Sequence, residues 1–155
     1  MTGQLFAQLL VQLAAAFCGT VCFALLFHVP PRHLWCCGVT GMAGWLVYWL
    51  CVQQRPDTVL ASLLAVIPMA AAARTFAIVR KAPVTLFLIP GIFPLVPGAG
   101  IYYTAYSFIT GDSAACAAKG AETLKIAVAL AMGVAVVMAV PLKWGGGARS
   151  RGGKS

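Results

Sequence analysis

Negative charge is almost missing from this chain. Among 155 residues there are three carboxylate side chains, Asp57, Asp112 and Glu122, and charged residues of both signs make up only 9%. A soluble domain carries about 25% charged residues, and so small a number could not cover a water-soluble surface. Lys and Arg are absent from the first thirty-one residues, so the positive n-region of a cleavable signal peptide is missing. "AAFC" before Gly19 is a poor lipoprotein site as well, with Phe17 where a small residue is needed. His and carboxylates are also lacking at ligand spacing from the cysteines. Cys18 and Cys22 share a helix face, but nothing accompanies them, so neither a metal nor a cofactor is expected. Cys36, Cys37, Cys51 and Cys116 complete the set, and most of the six sit in apolar runs, where Cys behaves as a small hydrophobe. No pair of catalytic groups stands at usable spacing, which argues against an enzyme.

What is abundant is apolar surface, at 61% of residues. The chain reads as an all-α integral membrane protein. Its net charge of +8 does not point to nucleic acid, because the basic residues sit singly at the ends of apolar runs and in a short tail. That is how membrane topology signals are arranged. A spanning helix needs about 20 apolar residues, and five runs qualify: 5–27, 34–52, 58–79, 84–110 and 123–142. "HVPPRH", "QQRPD" and "RKAP" separate the first four, each with a helix-stopping proline. "GDSAACAAKGAE" is polar enough to lie at the interface. Residues 143–155, "KWGGGARSRGGKS", read as a flexible basic tail. Its "RGGKS" is no nucleotide loop, because Ala148 stands where that motif needs Gly.

Lys and Arg counts set the orientation. Lys143, Arg149, Arg151 and Lys154 place the C-terminus in the cytoplasm, and five spans then put the N-terminus outside. Arg32, Arg80 and Lys81 fall inside on that choice. The outer loops hold Arg55 beside Asp57, and Lys119 beside Asp112 and Glu122.

Close helix contact in lipid depends on small residues. Gly38, Gly41 and Gly44 form one such row, and Ala127, Ala131, Ala135 and Ala139 another. Both are expected to meet helices of this chain or of a second one. Gln4, Gln8 and Gln12 make an amide row that should face protein or water, as interhelical glue or as a pathway wall. Pro68 should kink the third span. Arg74 either snorkels to the cytoplasmic surface or lines a wet cavity.

The fourth run is the unusual one. As one helix its 27 residues would extend about 40 Å against a bilayer core of about 30 Å. Pro90, Gly91, Pro94, Pro97, Gly98 and Gly100 fall within eleven residues of it. The expected structure is two half-helices, one from Val84 to Ile89 and one starting at Pro97 or Gly98. The second would carry Tyr102, Tyr103, Thr104, Tyr106 and Ser107. Irregular backbone at membrane depth survives only when buried in protein or facing water. The amides of Gly98, Ala99 and Gly100 would then form a positive helix terminus suited to a carboxylate, as at many transporter substrate sites. The plainer reading is a re-entrant or kinked helix that fills protein interior.

"PGIFPLVPGAGIY" within "FLIPGIFPLVPGAGIYYTAYSFITGD", with the earlier "FALLFHVPPRHLWCCGVTG", resembles the smaller, five-span subunit of the threonine/serine exporter family. The likeness in span number and order runs to about Leu142. It implies a bacterial inner-membrane protein that partners a larger companion subunit, both parts lying on one chain in fused members. Fused exporters move threonine and serine outward at the expense of the proton gradient, and split pairs have been linked to dicarboxylates such as succinate. All of these cargoes carry carboxylates. Residues 90–104 would then contribute to the substrate path, Arg74 would give electrostatic support, and Glu122 or Asp57 would couple protons. Self-association into a homo-oligomer stays open. So does a purely structural role beside a transporting partner.

Overall fold

The protein is seen in a computed structural model that describes residues 2–54 and 57–141; Arg55 and the basic tail lie outside the described residues. Six α-helices follow one another: α1 (Thr2–Leu26), α2 (Pro31–Gln54), α3 (Thr58–Arg80), α4 (Thr85–Ile92), α5 (Gly98–Ile109) and α6 (Ser113–Ala139). A 3₁₀ turn, Phe93–Leu95, continues α4. Helices α1, α2, α3 and α6 are each long and apolar enough to cross a bilayer. Segment α4 with its 3₁₀ turn and α5 make a fifth, broken span, bent by 56°.

Local chemistry sets the helix ends. Pro31 opens α2 at the first helical position, where its missing N–H costs nothing. Asp57 caps α3 by accepting from the Val59 and Leu60 amides at 3.1 and 3.2 Å. Lys81, left-handed at φ 51°, closes α3, and the Ala82 amide reaches back to the Ala77 carbonyl at 3.0 Å. Gly111, at φ 78°, makes the tight turn into α6, and Asp112 caps that helix through the Ala115 amide at 2.9 Å. Helix α6 therefore starts at Ser113, ten residues before the expected 123. The segment expected to lie at the interface is rich in alanine and already helical once Asp112 caps it.

Helix α1 packs on α2, α2 on α3, and α3 on α6, while α4 lies across α2 and α3. The glycine row of α2 serves two partners, because residues three apart drift by about 60° around a helix. Gly38 and Gly41 admit Phe17 and Thr20 of α1, whereas Gly44 admits Met69 of α3 and Leu95 of the 3₁₀ turn. Helices α3 and α6 run parallel: Thr58 meets Glu122, Val66 meets Gly133, and Arg74 meets Val137. The alanine row of α6 plays no part in this. Ala127, Ala131, Ala135 and Ala139 are all exposed, and the buried face is Ala129, Leu130 and Gly133. Alanine was the wrong size for the α3 crossing, where a Cβ at residue 133 would overlap a Val66 methyl. Pro68 sits inside α3, which continues as one helix through it.

Candidate functional site

The interruption is shorter than the prolines alone predict. Helix α4 runs through Pro90 and Gly91 to Ile92, three residues past its expected end at Ile89. Pro90 has no N–H to give the Leu86 carbonyl, but the Cys37 thiol of α2 donates to that carbonyl at 3.4 Å. The neighbouring helix thus supplies the missing donor. The next two prolines are handled by tightening. The Phe93 amide takes the Pro90 carbonyl that Pro94 cannot reach, and the Val96 amide takes the Phe93 carbonyl, at 3.2 Å, that Pro97 cannot reach. These are 3₁₀-type contacts, and they leave only Val96 and Pro97 between the turn and α5. Gly91, buried, lies against Thr40 and Met69. Leu95 fits against Gly44 and Ala65, near the middle of α2 and α3.

Helix α5 then leaves the bundle and packs on α6 and no other helix. Gly100 touches Thr123 of α6 and Gly120 touches Thr104 of α5, so the two run antiparallel. Of the three amides expected to be free at the start of α5, that of Gly98 is turned back onto the Val96 carbonyl at 2.7 Å. Those of Ala99 and Gly100 have no acceptor among the described residues. Gly98 and Ala99 are exposed and Gly100 half-buried, so two donors at a helix N-terminus stand open. The Thr104 hydroxyl is spent on the Gly100 carbonyl, at 2.7 Å. Ile101, Thr104, Ala105 and Phe108 face α6 across an apolar cavity of about 680 Å³. Tyr102, Tyr103 and Tyr106 take the other side, each more than half exposed, with Tyr103 edge-on to Tyr102 at 5.4 Å between ring centroids and Tyr106 stacked on Tyr102 at 6.3 Å. Their hydroxyls have no partner among the described residues.

On the α1 side of the break a cleft of about 240 Å³ is lined by Gln12, Gly19, Phe23, Trp45, Phe93 and Pro94, among others. The Trp45 indole donates to the Gln12 amide oxygen at 3.1 Å, and Phe93 stacks on Phe23 at 4.1 Å. Sequence reading missed Trp45, Phe93 and Thr123. Only Phe93 leaves a trace: Phe23 in α1 and Phe27 just past its end stand four residues apart and both meet its ring. Gln4, Gln8 and Gln12 are all exposed, and of the three Gln12 makes an interhelical bond and lines the cleft.

The remaining predicted residues are not gathered at the break. Arg74 sits on the α6 side of α3, donates to the Val137 carbonyl in the last turn of α6, and lines a separate cavity of about 340 Å³ with Val136 and Val140. An arginine there satisfies an orphan carbonyl and suits the negative helix end. Asp57 is engaged as a cap. Glu122 is exposed, 3.4 Å from Lys119. Among the described residues no three His, Cys, Asp or Glu side chains converge as metal ligands would.

Compared with known families, the chain matches the model described as Threonine/Serine exporter, ThrE, over residues 12–140. No curated protein and no solved structure matches it. The matched segment takes in α1 from Gln12 onward, the whole broken span and all of α6. The chain belongs to the threonine/serine exporter family.

Proposed function

We propose that this chain is the membrane subunit of a two-component secondary exporter of small carboxylate-bearing metabolites, threonine and serine or dicarboxylates such as succinate, driven by the proton gradient. It would work with a larger companion subunit in a bacterial inner membrane, N-terminus outside and C-terminus cytoplasmic. The observation that carries the reading is the N-terminus of α5. Its two open amides stand past the break, level with the first turn of α3, since Gly100 lies against Thr123 and the adjoining Glu122 meets Thr58, and they present the positive helix end to a carboxylate. Gly91, Pro94, Pro97 and Gly98 shape the backbone there, and Tyr102 and Tyr103 offer hydroxyls on the adjoining face. Arg32, Arg80 and Lys81 at one end of the bundle, with the basic residues of the tail, support the orientation, against Lys119 and Lys125 towards the other end.

Gly98→Leu tests it. A Cβ at residue 98 meets nothing within 4 Å, so the larger side chain fits without disturbing the bundle while covering the amides. In vesicles that hold the chain with its companion, efflux of labelled solute should fall to background with assembly unchanged. Normal flux per complex would remove the substrate path from α5.

A structural subunit is the second reading. It is favoured by the outer half of α1 and the tyrosine face of α5, both uncovered among the described residues. Loss of assembly in the same variant, with normal flux per surviving complex, is its signature.

A further inference from the structure

Proton-driven export needs a side chain that takes up and releases a proton, and the chain has few to offer. Its carboxylates number three. Asp57 and Asp112 are held as helix caps, and Glu122 is exposed beside Lys119. All three lie at the same end of the bundle. Of the two histidines, His28 is exposed in the turn after α1, whereas His33 is only 4% exposed.

The surroundings of His33 are specific. Its Nε2 accepts from the Arg32 Nε–H at 3.0 Å. Arginine only donates, so Nε2 carries the lone pair and the ring proton sits on Nδ1. That Nδ1–H is buried with no partner among the described residues, an arrangement that costs about 1–3 kcal/mol and therefore calls for an explanation. The ring stands edge-on to Phe87 of α4, centroids 5.5 Å apart. Arg32 from α2 and Arg80 from the end of α3 are the charges that act on it. Helix α4 presents an uncharged ring there, and the turn before α2 contributes the Pro30 carbonyl, which accepts from the His33 amide rather than from its ring. Among the described residues no carboxylate side chain lies at this end.

We propose that His33 is the residue that carries the coupling proton. A proton from the cytoplasmic side joins the Nε2 lone pair and gives an imidazolium, with Nδ1–H unchanged. Arg32 keeps its own proton but loses its acceptor, and two cations then stand side by side. Arg32 is exposed and free to swing into water, which uncovers the start of α2 where α4 rests through Phe87. Loss of the proton restores the Nε2 acceptor and lets Arg32 close again. Proton occupancy is thereby tied to the seating of the first half-helix, the element that positions the break. The orphaned Nδ1–H belongs to this device, since it keeps the closed state from being over-stabilised.

This inference rests on the export reading, and the test separates the two. In vesicles with the full chain and its companion, solute exchange at equal pH is measured beside efflux driven by a pH gradient. Absence of exchange in the unaltered protein would sink the export reading itself. With exchange present, His33→Gln should leave it near the unaltered rate while gradient-driven efflux falls by about tenfold or more, within the usual range of coupling energies. If both activities fall together, or neither falls, His33 does not carry the proton. A second measurement does not depend on the variant folding. The ring nitrogens of His33 in the unaltered protein, followed by ¹⁵N NMR, should show Nε2 gaining a proton as the pH is lowered. A ring that stays neutral throughout overturns the proposal.

Discussion

Gly100 offers a sharp test of how α5 is held. A Cβ at this position would overlap Thr123 Oγ1, while the Thr123 Cβ lies at 3.4 Å and Cγ2 at 3.6 Å, both ordinary contacts. The obstacle is therefore a single oxygen, held in place by its 2.7 Å bond to the Lys119 carbonyl. In Gly100→Ala either Thr123 rotates and loses that bond, or α5 shifts off α6. Overpacking of this kind costs about 1–3 kcal/mol. Helix α5 has no other helix to lean on, so the cost falls on its docking alone and lowers the docked population about 5- to 150-fold. Thr123→Ala alone should be close to neutral, since a hydroxyl bonded back to the carbonyl one turn earlier adds little to a helix. Combined, the two substitutions should restore what Gly100→Ala loses, because only the 3.4 Å contact remains. The assay is a double-mutant cycle on labelled-solute efflux and on thermal stability in detergent. Rescue gives a coupling term of about 1 kcal/mol or more. Additive losses would show that Thr123 is not what Gly100 makes room for, and would refute the close α5–α6 contact.

Two further outcomes test the helix ends around the break. Cys37→Ala should destabilise the chain by about 1 kcal/mol, by leaving the Leu86 carbonyl unpaired in an apolar setting. The same change should cost little in a Pro90→Ala background, where residue 90 regains its own amide; an equal cost in both backgrounds, read from unfolding in mixed micelles, would detach Cys37 from the proline. At Asp57, Ala should cost about 1 kcal/mol and Asn only a few tenths, because Asn still caps a helix. If Asn instead abolished the response of efflux to the pH gradient, Asp57 would be a proton carrier rather than a cap.

Much of the architecture was legible because a bilayer restricts the choices. Runs of about 20 apolar residues must be helices, so the spans, the proline-bearing connectors and the broken fourth segment follow from residue order alone. Family likeness was legible for the same reason, since "PGIFPLVPGAGIY" is a long and unusual way to interrupt a span. The pattern of small residues was only half informative. Gly38, Gly41 and Gly44 do pack within the chain, whereas the alanines of α6 are exposed, with Ala127 lining the cavity beside α5, because periodicity identifies a smooth face without naming the helix that meets it.

Sequence by itself therefore determined the class of the protein, its number of membrane crossings, the place of its break and its family. Tertiary structure decided where the break begins and what it exposes. A proline deprives a carbonyl of its local donor, and whether the helix stops there depends on a donor from elsewhere. The Cys37 thiol, forty-nine residues from Leu86 in sequence, carries α4 through Pro90, while 3₁₀ tightening absorbs Pro94 and Pro97. Structure also separated Arg74 from the break by turning it toward the end of α6, and it buried His33 against α4 beneath Arg32. Those outcomes depend on which helix faces come together across long stretches of chain, and no local pattern of residue types encodes that meeting.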